Sequence, residues 1–463
     1  MGWLLGHTFL LLVHVGRKTG KPHATAAMVI ARDKSTGEVV ICSVWGARAD
    51  WVQNLRAHPA LRVQIGRASF VPEQRFLTSD EAFAVAVEFR RRHPRRLRLL
   101  SRVLGWDDLR SEAAMREFIA TRPFVSLRPT SPKDPTMATM WAIVQDKYGD
   151  DADLLRHERI ARPEVADNEV LVRVHAAGLD RGTWHLMTGR PYLMRIAGLG
   201  VRGPRDRVSG RDLAGTVEAV GSAVTRFEVG DEVYGVGRGS FAEYAAAKQD
   251  KLARKPVNLS FEQAAVVPIS AGTALQALTD HGRVEAGQRV LVIGASGGVG
   301  SYAVQLAKAL GAEVTGVAST AKLDLVRSLG ADRVLDYTSD DYANGTARYD
   351  LVLDIAGNPR LSRLRRALTP KGTAVLVGGE SGGNLTGGMN RPLRALVLSP
   401  FLGQRLVWFV AKERASDLER LTELIEAGRV TPSIDRTYPL DRVPDAMRHL
   451  ASGQVRGKVA IIV

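Results

Sequence analysis

Cysteine is nearly absent from this chain: Cys42 is the only one in 463 residues. A lone thiol excludes an intramolecular disulfide and any zinc site built from several cysteines. It also points to a reducing, cytoplasmic setting. Long apolar runs are missing as well. Phe9 to Val13 is too short to span a bilayer and no small-residue cleavage site follows it; Ala395 to Val410 is interrupted by Pro400 and Arg405. No stable membrane insertion is expected. No internal repeat links the two ends of the chain, so they read as unlike domains.

At this length one hydrophobic core does not suffice, and several domains are expected. With 45% hydrophobic and 24% charged residues the composition is that of a globular protein, and 45 glycines suit an α/β chain with many tight turns. The net charge of +15 is uneven. Residues 1–136 carry 22 Lys and Arg against 12 Asp and Glu, a net of +10, and the remainder carries +5. The basic first third suits an anionic ligand, a nucleic acid or an acidic surface. Its densest cluster, Arg90 to Arg98, has no interleaved aromatics and no nucleic-acid motif around it. It reads as a solvated helix end or the rim of an anionic cofactor site, and no nucleic-acid partner is expected.

Three prolines in seven residues, Pro129, Pro132 and Pro135, mark an extended linker over 129–136. Before it, Leu10 to Val15, Ala24 to Ala31, Val39 to Val44 and Leu61 to Ile65 read as strands of an antiparallel sheet. Asp80 to Arg92 reads as a helix capped at Ser79 and Asp80. After it, 137–265 holds short strands with glycine turns. Then strands at 289–293, 313–317, 333–335, 350–354 and 373–377 alternate with helices at 299–310, 322–329 and 361–368. That alternation predicts a parallel, doubly wound sheet. The expected division is 1–128, the linker, 137–265, a nucleotide-binding part at 266–400 and a return to the earlier part at 401–463.

The strand ending at Ile293 runs directly into Gly294-Ala295-Ser296-Gly297-Gly298-Val299-Gly300, and a helix follows. Glycines let the chain turn sharply and let N–H groups approach a pyrophosphate, while the helix N-terminus adds its positive dipole end. The next strand ends in Ser319, Thr320 and Lys322, with no carboxylate to hold a ribose 2′-hydroxyl. The missing acid predicts NADPH over NADH, with Lys322 as a point charge toward the 2′-phosphate or as a solvated helix residue. Tyr337 joins these candidates for cofactor binding.

Several segments of 137–463 resemble the quinone-reductase branch of the medium-chain dehydrogenase/reductase superfamily. They are Gly210-Arg211-Asp212-Leu213-Ala214-Gly215, Phe227 to Gly235 with its Gly230-Asp231 turn, Ala271-Gly272-Thr273-Ala274, Leu329-Gly330-Ala331-Asp332 and Gly457-Lys458-Val459. The resemblance implies a GroES-like catalytic subdomain around a Rossmann subdomain. It implies hydride transfer from NADPH to a quinone, an activated alkene or a carbonyl, and it leaves a homodimer open. Zinc-dependent relatives need a Cys where this chain has Asp180 and a His-Glu pair where it has Arg211-Asp212, so no metal is expected. Asp180, Thr183, His185 and Thr273 are the implied catalytic candidates. Asp180 departs from the Asn common in the family, and His185 also reads as a histidine packed beside Trp184. An NAD(P)-dependent alcohol dehydrogenase is the alternative activity.

In the first third, Gly16-Arg17-Lys18-Thr19-Gly20-Lys21-Pro22 sets three cations and two glycines between strands. By itself it reads equally as a phosphate site or a basic hairpin turn. Together with Trp45 to Pro59, which contains Trp51 and Asn54, it resembles the deazaflavin-dependent nitroreductase family. That resemblance implies a split β-barrel binding coenzyme F-420, with Arg17, Lys18 and Lys21 on its phosphate side and Trp51 and Asn54 beside the ring. The alternative is a barrel that serves only as a binding or assembly module.

Overall fold

The computed structural model describes residues 9–33, 36–65, 68–94, 97, 109, 111–129, 139–201, 203–357, 359–378, 383 and 390–463. The chain falls into two compact units, Met1–Met137 and Ala138–Val463. Most of the linker read at 129–136 lies outside the described residues, as do Arg95, Arg96 and Arg98 of the basic cluster.

In the first unit the strands are β1 (Phe9–Val15), β2 (Pro22–Arg32), β3 (Val39–Cys42), β4 (Arg62–Ile65), β5 (Ala68–Phe70), β6 (Pro72–Phe76) and β7 (Phe124–Pro129). They form one antiparallel sheet in the order β5-β4-β1-β2-β3-β7-β6. Alternating burial along β1 sends Leu10 and Leu12 into the core with Val39, Ile41, Val63, Val125 and Leu127. The helices are α1 (Asp50–Ala57), α2 (Ser79–Arg92) and α3 (Glu112–Thr121). The cap of α2 is Thr78, one residue ahead of the expected pair. Its hydroxyl accepts from the Glu81 N–H while the Glu81 carboxylate accepts from the Thr78 N–H, a reciprocal closure neither Ser79 nor Asp80 makes. Arg128 and Pro129, read as the last residue of the first domain and the first of the linker, are the end of β7, with Pro129 opposite Pro72.

The second unit opens with a hairpin of β8 (Thr139–Val144) and β9 (Arg156–Ala161). Then come β10 (Glu169–Leu179), α4 (Arg181–Thr188), β11 (Asp212–Val220), β12 (Glu232–Val236), β13 (Tyr244–Lys248) and β14 (Leu252–Arg254). Two helices, α5 (Phe261–Ala265) and α6 (Pro268–Gln276), lead into β15 (Arg289–Ile293), α7 (Gly298–Ala309), β16 (Glu313–Ala318), α8 (Leu323–Ser328) and β17 (Arg333–Asp336). The alternation continues through β18 (Tyr349–Asp354), α9 (Leu361–Ala367), β19 (Leu368–Leu376), α10 (Asn390–Leu398) and β20 (Arg405–Trp408). The chain ends with α11 (Ala415–Glu426), β21 (Ile434–Pro439), α12 (Val443–Ala451) and β22 (Lys458–Ile462).

The parallel sheet has the order β17-β16-β15-β18-β19-β20. Its central strands are apolar without a break, as in Val290-Leu291-Val292, because helices cover both faces. Its sixth strand differs from the expected division. β20 lies in the stretch assigned to the returning part, yet it pairs with β19 because its apolar residues need a neighbour on the same sheet. The return comes later, where β22 pairs with β10 and extends the other sheet, β14-β12-β11-β10-β22-β21.

Candidate functional site

The glycine loop sits where the strand order reverses, between β15 and β18. Such a reversal opens a crevice at the carboxyl ends of a parallel sheet. Gly294 has φ +86°, and a Cβ there would lie 2.6 Å from the Cβ of Ala356, just past β18. Only glycine makes that turn and that approach. A Cβ on Gly300 would come within 2.0 Å of the Gly294 carbonyl oxygen. Gly297 is different: φ is −88° and the nearest atom to an added Cβ is 3.6 Å away. Gly297 therefore leaves open space at the N-terminus of α7, where first-turn N–H groups have no intrahelical acceptor. A pyrophosphate fits this cradle.

The loop's residues divide by role. Gly294 and Ala295 spend their N–H groups on the Val317 carbonyl, at 3.1 and 3.0 Å, so they shape the loop. Ser296 is buried and its carbonyl accepts from the Gly457 N–H at 2.8 Å. Gly298, Val299 and Gly300 form the first turn of α7, where N–H groups lack an intrahelical acceptor.

Beneath the loop a buried lysine faces a buried carboxyl group. Lys458, 1% exposed, donates to the Ser270 hydroxyl at 3.0 Å, and its Nζ is 3.8 Å from Asp212 Oδ2. The other Asp212 oxygen accepts from the Ile269 N–H at 3.1 Å. Burial pushes the Asp212 carboxyl well above the usual carboxylate range, and the nearby Asp180 charge adds to the push, while Lys458 opposes it. A Cβ on Gly298 would meet Lys458 at 3.1 Å and Ser270 at 3.3 Å, so this pair supports the nucleotide loop from behind.

At the end of β16 two of the expected cofactor residues, Thr320 and Lys322, already make hydrogen bonds within the protein. Lys322 donates to the carbonyls of Gly453 and Val455 at 2.7 and 2.8 Å, and burial lowers its pKa. The Thr320 hydroxyl donates to Asp336 at the end of β17, so it is already engaged. Hydrogen bonds from Thr320 and Thr338 hold the Asp336 carboxyl below its usual range. Ser319 and the exposed Tyr337 border the same corner, the Tyr337 N–H donating to the Ala318 carbonyl at 3.1 Å. Arg456 completes it, reaching the Ala321 carbonyl at 3.3 Å and Asp324 at 2.5 Å. Sequence reasoning missed Arg456 because it arrives from 135 residues away, just before the terminal strand.

Two of the catalytic candidates, Asp180 and Thr183, are hydrogen-bonded to each other. Asp180 is the N-cap of α4: its Oδ1 accepts from the Thr183 N–H and hydroxyl at 2.8 and 3.1 Å. A side chain occupied in this way makes the cap its first role. His185 lies 2.9 Å from the Arg190 carbonyl through Nδ1, which puts the proton on that nitrogen, and it meets Trp184 edge-on. Of the four, only Thr273 lines the 190 Å³ cavity of this unit, with its hydroxyl donating to the Ile269 carbonyl at 2.7 Å. The same cavity is bounded by Arg211, Lys251, Ile269, Lys412, Glu413 and Arg414, none of which the sequence marked as a site residue. Among the described residues no group of three or more His, Cys, Asp or Glu is placed to hold a metal ion. None of the described helices is long and apolar enough to cross a membrane.

In the first unit the Gly16–Lys21 turn closes the β1–β2 hairpin, with Gly20 at φ +66°. Asn54, buried on α1, accepts from the Arg17 N–H at 3.0 Å and faces the buried His14 ring at 3.1 Å. Arg17 also reaches Asp50 at 3.0 Å. Asn54 and Arg17 thus hold the turn in shape. Trp51 packs inward with the core of the sheet and is 8% exposed. Lys18 and Lys21 remain exposed, without a carboxylate partner among the described residues, and they fit the anionic end of a ligand.

Both units have counterparts among known proteins. Residues 166–257 match the alcohol dehydrogenase GroES-like domain and residues 329–461 a family described as zinc-binding dehydrogenase. Residues 2–94 match a family of quinone reductases dependent on the reduced form of coenzyme F-420. The chain is 33% identical over 338 residues to a chloroplastic quinone-oxidoreductase homolog of Spinacia oleracea, covering 70% of this chain and 98% of the relative. It is 35% identical over 337 residues to the NADPH-dependent alkenal/one oxidoreductase of Arabidopsis thaliana, covering 70% and 79%. The solved quinone oxidoreductase of Coxiella burnetii superposes with a TM-score of 0.62 at 28% identity, over 70% of this chain and all of that one.

Proposed function

We propose, for a chain that belongs to the quinone-oxidoreductase type of medium-chain dehydrogenase/reductases and carries a domain of the F-420-dependent quinone reductase family ahead of it, NADPH-linked reduction of quinones or activated alkenes. The observation that carries this reading is the open approach over Gly297 at the N-terminus of α7, in a site whose second strand ends without a carboxylate. NADPH, when bound, supplies a hydride to the acceptor.

The chain's own residues do the rest. First-turn N–H groups of Gly298 to Gly300 hold the pyrophosphate. Lys322, Ser319, Tyr337 and Arg456 surround the 2′-phosphate corner, with Arg456 adding the second cation. The cavity beside Thr273 receives the acceptor, with Pro268 and Ile269 as apolar lining beside it. Arg211 stands where a metal-dependent relative would need a ligand, and a guanidinium does not bind a cation, which supports a zinc-free site. An alcohol dehydrogenase activity would have to proceed without that Lewis acid.

The test is oxidation of NADPH and NADH by the purified full chain against quinones, enones and aldehydes, with and without a strong chelator. Faster turnover with NADH, or activity lost to the chelator and restored by zinc, contradicts the reading.

A second reading concerns the first unit. Lys18 and Lys21, projecting from the Gly16–Lys21 turn, support binding of the anionic tail of a deazaflavin coenzyme. Titration of the full chain with that coenzyme, without NADPH, tests it. Absence of binding leaves the barrel as an assembly module.

A further inference from the structure

The acceptor cavity has a charged wall that hydride transfer alone does not require. Arg211, immediately before β11, hydrogen-bonds Glu413 through one guanidinium nitrogen, and Lys251 donates to the other Glu413 oxygen at 2.5 Å. The three side chains are 42%, 33% and 19% exposed for Arg211, Lys251 and Glu413, so the carboxylate is the most enclosed member. One carboxylate shared by two cations leaves a net positive charge on the wall. Around the whole cavity four cations face two carboxylates, Glu413 and Asp417. Arg414 is drawn off toward Asp280 at 3.1 Å, whereas Arg211 has no acceptor besides Glu413 among the described residues. Its remaining N–H groups are spare donors beside Thr273.

Resting on the proposed reduction of quinones or enones, we infer that Arg211 is a catalytic residue that hydrogen-bonds the acceptor oxygen and takes up its developing negative charge, with Glu413 as the positioning residue that aims it. In an enone the incoming hydride forms a C–H bond at the β-carbon. The alkene pair shifts toward the carbonyl, and its π pair moves to oxygen as an enolate; the donor is oxidised by two electrons. Water then delivers a proton to the α-carbon. In a quinone the charge likewise arrives on a ring oxygen, as a phenolate. A fixed cation aimed at that oxygen is stronger against the oxyanion than against the neutral carbonyl, the condition for accelerating the step. The site therefore selects acceptors that yield enolates or phenolates, and it binds phenolates as product-like ligands.

Binding of 4-nitrophenol to the full chain without NADPH, followed by its phenolate absorbance, tests this apart from turnover. The unmodified protein is expected to bind the phenolate in preference to the phenol and to lower the bound ligand's apparent pKa. Arg211→Met should lose about ten-fold or more in phenolate affinity while NADPH affinity stays unchanged. Its kcat with quinone should fall about 100-fold, the cost typical of a lost oxyanion donor, and Arg211→Lys should recover part of both. Glu413→Gln should act in the opposite sense on binding. The wall becomes more positive and phenolate affinity rises, while kcat falls because Arg211 is no longer aimed. A merely structural ion-pair cluster predicts that all three variants lose binding together with thermal stability. That pattern, or equal binding of phenol and phenolate by the unmodified protein, overturns the inference. Phenolate binding through Arg211 in a protein that oxidises no NADPH with quinones would instead refute the proposed reaction and leave the anion site standing.

Discussion

Lys322 and Arg456 approach one corner of the proposed nucleotide site from distant parts of the second unit. Lys322 is bound to two carbonyls, so its charge is fixed in place rather than sweeping through solvent. Removing a charge-assisted contact costs about 1.5–3 kcal/mol, about ten-fold or more in affinity. Lys322→Ala and Arg456→Ala should each weaken NADPH by about that factor and leave NADH unchanged, as measured by fluorescence titration. Equal losses for both nucleotides would assign the pair to loop structure. Asp212 supplies a second residue-scale outcome. Its folded pKa is raised by burial above the unfolded value of about 3.9. The protonated form is thus the one that folding favours. The stabilisation is complete below the unfolded pKa and is lost as pH rises through the folded one. Asp212→Asn should remove that slope. The stability of the unmodified protein minus that of the variant, from denaturant unfolding, should fall as pH rises from about 4 toward neutrality. A flat difference would mean that Asp212 does not titrate in the folded state.

At the scale of the element, the β15–α7 turn separates glycines needed for folding from one that the proposed site leaves open for a ligand. Gly300→Ala places a Cβ 2.0 Å from the Gly294 carbonyl, and overpacking of this kind costs about 1–3 kcal/mol. Gly297→Ala meets nothing closer than 3.6 Å and keeps an accessible backbone angle. The first variant should melt at a lower temperature. The second should melt like the unmodified protein yet bind NADPH more than about ten-fold less tightly, because its methyl enters the space left for the pyrophosphate. Thermal unfolding with and without nucleotide separates the two. Similar behaviour of both would mean that Gly297 also serves the fold.

For the molecule as a whole, the excess positive charge of the first unit is a distribution with one shaped point. Arg91 and Arg92 are clamped on Glu88, and Arg17 is tied to Asp50 and Asn54, whereas Lys18 and Lys21 have no carboxylate partner among the described residues. A deazaflavin titration of the full chain should therefore lose more affinity from replacing Lys18 and Lys21 by alanine than from replacing Arg91 and Arg92, although the charge change is equal. The affinity should also fall as salt is raised, because surface cations are screened. Equal losses from the two double variants would make the turn an undifferentiated basic face.

Much of this architecture is legible in the sequence because it rests on short-range rules. The Ile293–Gly300 strand, turn and helix are dictated by local glycine geometry, and the strand-helix alternation after it follows from periodicity. The missing carboxylate at the end of β16 is a property of one position. What only the tertiary structure decided is which distant residues share a space. Trp51 reads as an aromatic residue on a helix, and the sheet packs it into the core. Asp180 and Thr183 lie in the expected segment, but helix capping occupies them. Arg211, Lys251 and Glu413 meet across as many as 202 residues of sequence. Arg456 reaches Ala321 across 135, because β22 returns to the sheet begun by β10. No local pattern encodes those meetings; chain crossover and packing bring the charges together.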